Sequence, residues 1–309
     1  MTRARPEIAV GPLLFNWAPE RIEAFYTAVA ACEAIDRVYL GEVVCAKRRP
    51  LMTRALEDAA GRLAAASKTV VWSTLALPAS PPERRVLRDQ VAGDGRLIEV
   101  NDLAALSVLS PRTPFVSGPL LNVYNEDAAA ELVRLGCVRL CGNVELGLQA
   151  LAAIGSATPG LELELFAFGR LPLAISGRCH HAHLRGRRKD TCQFVCDRDP
   201  DGAMTATIEG EAVLAINGVQ VLSQAVHVAA PPMADLEAAG VTALRLSPHS
   251  VDIGAAARAF ADLYAGRLDQ AGLREALAVA GAPAGGFVDG FLHGLAGRLA
   301  ARATRDAAG

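Results

Sequence analysis

No stretch of this chain approaches the roughly 20 unbroken apolar residues that a helical membrane span requires. The opening MTRARPEIAV is too short and too polar before Ile8 to serve as a signal peptide. Both absences lead to the expectation of a soluble cytoplasmic protein. Net charge is nearly absent as well, at −2 over 309 residues, so no global field draws the protein onto nucleic acid or anionic lipid. Any anion site has to be local. No Gly-x-Gly-x-x-Gly follows the first apolar run, so the dinucleotide-binding fingerprint is missing. There is no His-Glu-x-x-His, no Gly-x-Ser-x-Gly and no cysteine with an evident partner histidine, which argues against a peptidase.

What is present is apolar and periodic. At 51% hydrophobic and 21% charged residues, the chain can bury a full core. Short apolar runs at 8–15, 38–44, 69–77, 97–100, 114–121, 137–141, 161–169 and 242–247 are nearly all followed by segments of helical spacing, at 19–34, 51–66, 81–93, 102–110, 125–136, 144–155 and 251–266. Apolar runs alternating with amphipathic helices imply a parallel sheet covered by helices. Eight such units predict an α/β fold, a (β/α)8 TIM-like barrel spanning 1–309, with an open doubly wound sheet as the alternative. One segment, about 170–240, breaks the rhythm. It follows the seventh run, which would put it at the C-terminal mouth of the barrel, and ATIEGEAVLAINGVQVLSQ within it alternates like a hairpin around Asn217-Gly218. The stretch at about 283–303 reads as a C-terminal helix, either capping the barrel or facing a partner.

The insertion holds CHHAHLRGRRKDTCQFVC, three cysteines spaced C-x₁₂-C-x₃-C amid polar and basic residues. Such surroundings are poor for core cysteines. Cys45, just after the second strand run, would also reach the mouth. Cys45, Cys179, Cys192 and Cys196 are therefore expected to converge on one metal centre. Thiolates suit zinc or an iron–sulfur cluster; structural zinc usually has paired C-x₂-C knuckles, absent here, and the irregular spacing with one remote ligand suits a larger cube-like cluster slightly better, with zinc left open. His180, His181 and His183 read as solvated loop residues or replacement ligands. Cys32 lies within a helix pattern, and Cys137 and Cys141 bracket a strand too long for them to chelate together, so all three read as structural. Lys47, Arg48, Arg49, Arg185, Arg187, Arg188 and Lys189 could offset thiolate charge or bind an anionic partner. Glu42, Ser73, Asn101, Asp102, Asn122, Tyr124, Glu145, Arg170 and Arg245 fall at strand ends and are expected around the mouth.

The runs YLGEVVCAKRRP, PFVSGPLLNVYN, FAFGRLPLAISGRC, INGVQ and LRLSPHS, in that order and with the cysteine trio, resemble the collagenase-like peptidase family of unassigned catalytic type, and within it the UbiV group of ubiquinone biosynthesis proteins. The resemblance implies an iron–sulfur subunit of an oxygen-independent hydroxylase acting on a ubiquinone precursor. It implies a 4Fe–4S cluster on Cys45, Cys179, Cys192 and Cys196, a homologous UbiU-like subunit as heterodimer partner, and a lipid-binding accessory protein. A non-catalytic cluster-bearing subunit and an RNA-base hydroxylase of the wider family are the alternatives. The family often carries Gly-His before its Asn-x-Tyr-Asn segment; this chain has Gly118-Pro119.

Overall fold

A computed structural model describes residues 5–93, 95–283 and 286–301. Strands and helices alternate as β1 (Glu7–Val10), α1 (Pro19–Ala31), β2 (Arg37–Leu40), α2 (Arg49–Ala65), β3 (Thr69–Ser73), α3 (Pro81–Val91), β4 (Ile98–Val100) and α4 (Leu103–Leu106). They continue as β5 (Phe115–Ser117), α5 (Glu126–Leu135), β6 (Cys137–Cys141), α6 (Leu148–Ala157) and β7 (Glu162–Ile175). An insertion follows, with α7 (His180–Leu184), β8 (Ala203–Ala206), β9 (Ala212–Asn217) and β10 (Gln220–Val228). The chain then returns through α8 (Met233–Ala238), β11 (Val241–Leu246), α9 (Ile253–Tyr264), α10 (Gln270–Val279) and the short β12 (Phe287–Val288).

The parallel strands run in the order β11-β1-β2-β3-β4-β5-β6-β7, and β11 also pairs with β7, so the sheet closes into the expected eight-stranded barrel. Local signals set the helix starts. Ser80 and Glu83 form a reciprocal capping box on α3, and the side chains of Asp102, Asn125, Asp252 and Asp269 accept backbone N–H groups at the starts of α4, α5, α9 and α10.

Side-chain alternation divides the core in two. Ile8, Val10, Val38, Leu40, Ile98, Val100, Leu140, Leu163, Leu244 and Leu246 belong to the large apolar layer under the helices. Their neighbours in sequence face the barrel axis, and many are charged. Arg245 on β11 bonds Glu99 on β4, and Tyr39 on β2 donates to Glu164 on β7 at 2.6 Å. Such pairs join strands far apart in the sheet order, so the bonds cross the barrel. Arg139 bonds Glu7 at 2.7 Å, and Arg245 Nε bonds Glu164 at 2.7 Å. Small apolar neighbours, Ala9, Val71 and Val116, pack around Tyr39 in the same interior. Arg245, expected at the mouth, is thus a buried barrel residue, and so is Ser73, whose hydroxyl donates to Glu99 at 2.6 Å.

β7 belongs to both the barrel and the insertion. Up to Phe168 it pairs in parallel with β11; from there to Ile175 it pairs antiparallel with β10. Gly169 sits at the changeover with φ +122, and a Cβ there would lie 2.8 Å from the Ser247 backbone oxygen. The β9–β10 hairpin forms around Gly218, whose φ of +66 suits the first loop position of a two-residue turn.

Two expectations need correction. Residues 233–238, assigned to the insertion from sequence, form the barrel helix α8. The expected C-terminal helix at about 283–303 is absent among the described residues, where β12, a 3-10 turn at Gly290–His293 and irregular chain take its place. Five glycines between 285 and 297 account for this, each costing about 1 kcal/mol relative to alanine inside a helix.

Candidate functional site

Cys45, Cys179, Cys192 and Cys196 all line one small cavity between the barrel mouth and the insertion, with Lys47, Arg48, His181, Lys189, Phe194, Val195 and Gly218. Different elements bring them there. Cys45 follows β2, and its loop is held by Glu42, whose Oε1 accepts from the N–H groups of Val44 and Cys45 at 2.7 and 2.8 Å. Cys179 precedes α7, and its sulfur accepts from the Ala182 N–H at 3.4 Å. Cys192 and Cys196 flank Gln193 and Phe194, both in left-handed backbone at φ +49 and +54. Two consecutive non-glycine residues in that region cost on the order of 1–2 kcal/mol each, and such strain persists only where surrounding contacts enforce it. Burial pushes the Cys45 and Cys179 thiols up from their ordinary value, and the Arg48 guanidinium opposes that rise at both.

Arg48 is 1% exposed, although it stands between Lys47 and Arg49 in a run that reads as solvated. It bonds the Leu14 carbonyl at 3.0 Å and Asn217 Oδ1 at 2.8 Å, tying the hairpin to the barrel. The negative neighbours Glu42, Cys196 and Cys45 raise its pKa against the effect of burial. Lys47 donates to the carbonyls of Lys189 and Asp190. His181 is fully buried and no solvated loop residue, correcting the expectation. Its ring nitrogens meet the Ile216 carbonyl at 3.1 Å and Asp199 at 2.8 Å, so both are occupied within the protein. His180 and His183 are exposed. Cys32, Cys137 and Cys141 are buried away from this cavity, as expected. Among the described residues, no group of three or more His, Cys, Asp or Glu side chains is arranged to hold a metal ion.

A second feature opens at the C-terminal ends of β3 to β7. This groove, of about 350 Å³, is within the size range of small-molecule pockets. Ala76, Leu77, Leu103, Leu120, Leu121, Val144 and the β7 segment Pro172–Ile175 give it apolar walls, and Asn101, Asp102, Asn122, Tyr124, Asn143 and Glu145 supply polar groups. No Lys, Arg or His lines it. Tyr124 donates to Glu145 at 2.7 Å, and Asn143 donates to Asn122 at 3.0 Å. Five residues expected at the mouth therefore meet here: Asn101, Asp102, Asn122, Tyr124 and Glu145. Glu42 and Arg170 do not. Glu42 faces α2 and the Cys45 loop, and Arg170 bonds carbonyls of the β10 strand. Asn143, not among the expected mouth residues, also lines the groove from the loop between β6 and α6, where no pattern in the sequence marks it.

Part of the chain is similar to the "tRNA hydroxylation protein P" of Helicobacter pylori strain J99, 33% identical over 118 residues, which is 35% of this chain and 28% of that protein. The same-named protein of strain 26695 is 33% identical over 116 residues, 34% of this chain and 28% of the relative. The matched region thus spans under a third of these curated relatives. A crystal structure of an uncharacterized B. cereus protein superposes with a TM-score of 0.33 at 10% identity, covering 86% of this chain and 66% of that one. No helix among the described residues is long and apolar enough to cross a membrane. Peptidase family U32 matches residues 20–294, nearly the whole of the barrel with its insertion, and the chain belongs to that family.

Proposed function

We propose that this protein is the iron–sulfur subunit of an oxygen-independent hydroxylase of the UbiV type, acting on a ubiquinone precursor. The observation that carries the reading is the gathering of four thiols, one from the β2–α2 loop and three from the insertion, around one cavity beside a fully buried arginine. The donor set fits a 4Fe–4S cluster, with Cys45, Cys179, Cys192 and Cys196 as its ligands. A cluster puts its own atoms between its sulfur ligands, so it does not need them grouped as tightly as a single ion does. When bound, it would supply one-electron chemistry. The protein's own contribution is a fixed cation, Arg48, that opposes the thiolate charge, and a rigid Cys45 loop held by Glu42. The adjoining groove, apolar and without a basic side chain, fits an uncharged ring compound better than a polyanion.

The name of the Helicobacter relatives supports a second reading, an RNA-base hydroxylase. Arg178, Arg185, Arg188 and Arg198 are exposed on the insertion and would meet phosphates there. On either reading a homologous partner would complete the chemistry. A UbiU-like homologous subunit as heterodimer partner and a lipid-binding accessory protein complete the first.

The test is anaerobic purification with iron and acid-labile sulfide counts, followed by incubation of the complex with a quinone precursor and, separately, with unmodified tRNA. Brown protein containing about four irons and an oxygenated ring product supports the proposal. Stoichiometric zinc without iron overturns the cluster. Oxygenated tRNA with an untouched quinone precursor selects the second reading.

A further inference from the structure

A smaller cavity on the barrel side adjoins the mouth groove, and Asn101, Leu120 and Pro172 line both. The other walls of that cavity include Gly11, Leu14, Val43, Phe166, Glu99 and Arg245. Its volume is about 20 Å³, room for one water-sized group rather than a ring.

Arg245 is the notable member of this lining. Its guanidinium stacks on Tyr39 at 3.8 Å, Nη1 bonds Glu99 and Nε bonds Glu164. The remaining nitrogen, Nη2, is buried and has no hydrogen-bond partner among the described residues. A buried N–H left without an acceptor costs on the order of 1–3 kcal/mol. Among the described residues, Tyr39, Ser73, Glu99, Arg139 and Glu164, which share the axial network, leave no such side-chain atom unpaired.

Charge limits what could meet it. Arg245 already faces two carboxylates, and Arg139 faces Glu7 and Glu164 in the same interior. An added carboxylate or phosphate would bring a further buried negative charge with no cation left to match it, which is strongly unfavourable. The groove leading inward adds Asp102 and Glu145. A neutral oxygen, phenolic or carbonyl, meets no such opposition.

We propose that groove and axial cavity form one binding site, in which Arg245 Nη2 donates to an uncharged oxygen at the buried tip of an otherwise apolar ring ligand. This rests on the groove being the substrate site of the proposed hydroxylase, and it adds the anchoring residue and the end of the ligand that enters first. Leu120 is one of the three residues that line both spaces, and the proposed ligand would pass beside it.

Three probes of nearly equal body test it by ligand-observed NMR titration of the full chain: 4-ethylphenol, ethylbenzene and 4-ethylbenzoate. The phenol should bind about tenfold more tightly than ethylbenzene, the scale of one hydrogen bond. The benzoate should bind more weakly than the phenol. Arg245→Lys keeps the charge and removes Nη2; the phenol should fall to the affinity of ethylbenzene, with ethylbenzene unchanged. Should Arg245→Lys fail to fold, Leu120→Phe leaves the ion network intact and narrows the passage, and it should also abolish the phenol's advantage. Equal affinities for phenol and ethylbenzene, an advantage that survives either substitution, or no binding of any probe would overturn the inference. None of these outcomes touches the iron and sulfide counts, so the two proposals fail separately.

Discussion

The barrel interior and the thiol cavity are both built from buried charge, yet they are organised in opposite ways. Inside the barrel, Glu7, Glu99, Glu164, Arg139 and Arg245 pair across the axis until nearly every group is matched. Around the thiols, one buried guanidinium faces several sulfurs, two neighbouring residues are held in left-handed backbone, and few large apolar side chains pack between. The first region pairs its charges internally, with Arg245 Nη2 left over. The second sets four thiols against the buried Arg48 and the Lys47 and Lys189 chains, and holds Gln193 and Phe194 in left-handed backbone. A buried ion network can thus match charge against charge in one part of the fold, while in another a single guanidinium stands against several thiols.

The largest expected effect breaks the thiol side of this contrast. Alanine at Cys45, Cys179, Cys192 or Cys196 should remove iron and sulfide from anaerobically prepared protein and open 176–202 to limited proteolysis. Alanine at Cys32 should leave both unchanged. Metal ligation would supply the ordering free energy that this stretch lacks in apolar contacts. Equal proteolysis of wild type and the cysteine variants would remove the comparison altogether.

The barrel side should break more uniformly. Glu164→Ala leaves Arg245, Arg139 and the Tyr39 hydroxyl short of an acceptor, and removing one partner of a buried ion pair costs about 3–5 kcal/mol. Denaturant unfolding should show that loss throughout the chain, not in the insertion alone.

Arg48→Met tests the seam between the two regions. It removes charged hydrogen bonds to Leu14 and Asn217, each worth about 1.5–3 kcal/mol. Hydrogen exchange should rise in the β9–β10 hairpin before it rises in the barrel strands. Uniform exchange would mean that the seam carries no special burden.

A pH series sharpens the contrast further. Burial alone would raise the Glu7 pKa, but hydrogen bonds from Arg37 and Arg139 reverse this and hold it at about 2 against an ordinary 4.5. A depressed carboxylate stabilises the fold fully above its unfolded value and loses that contribution as pH falls from about 4.5 toward 2. Wild type should therefore lose stability across that window, and Glu7→Gln should lose less over the same range, read by melting temperature.

The smallest effect is expected from Asp199→Asn, a partly exposed carboxylate that keeps its hydrogen-bonding shape on substitution while weakening the bridges to buried His181 and exposed Arg185. About 0.5–1 kcal/mol should be lost, detectable as faster proteolysis of the insertion without a shift in barrel melting.

The barrel was legible because each strand run and its helix repeat one pattern, and closure follows from eight such units. The interior ion network was harder to see. Glu99, Arg139 and Arg245 each sit alone in an apolar run and Glu164 shares its run with Glu162, and only the three-dimensional register reveals that they face one another. Arg48 could not be recognised as buried, since its neighbours Lys47 and Arg49 give the run a solvated look. The four cysteines were legible from spacing and polar surroundings. That they line one cavity is a tertiary fact, as is the groove, because its lining comes from five strand ends. The C-terminal stretch misled because its apolar residues repeat near helical spacing, and spacing takes no account of five glycines.

The single strand β7 has a practical consequence for anyone wishing to take this molecule apart. Since 162–175 is one unbroken strand serving the barrel at one end and the insertion at the other, there is no hinge along it at which the insertion could be cut free and expected to keep its shape. A chimaera meant to exchange the cysteine-bearing module with that of another barrel would need two junctions in register: one near Gly169, where pairing changes from β11 to β10, and one near Val228, where β10 rejoins the barrel opposite Phe168. A junction that offset either strand by an odd number of residues would alter the side-chain parity of the pair and turn the inward-facing residues out.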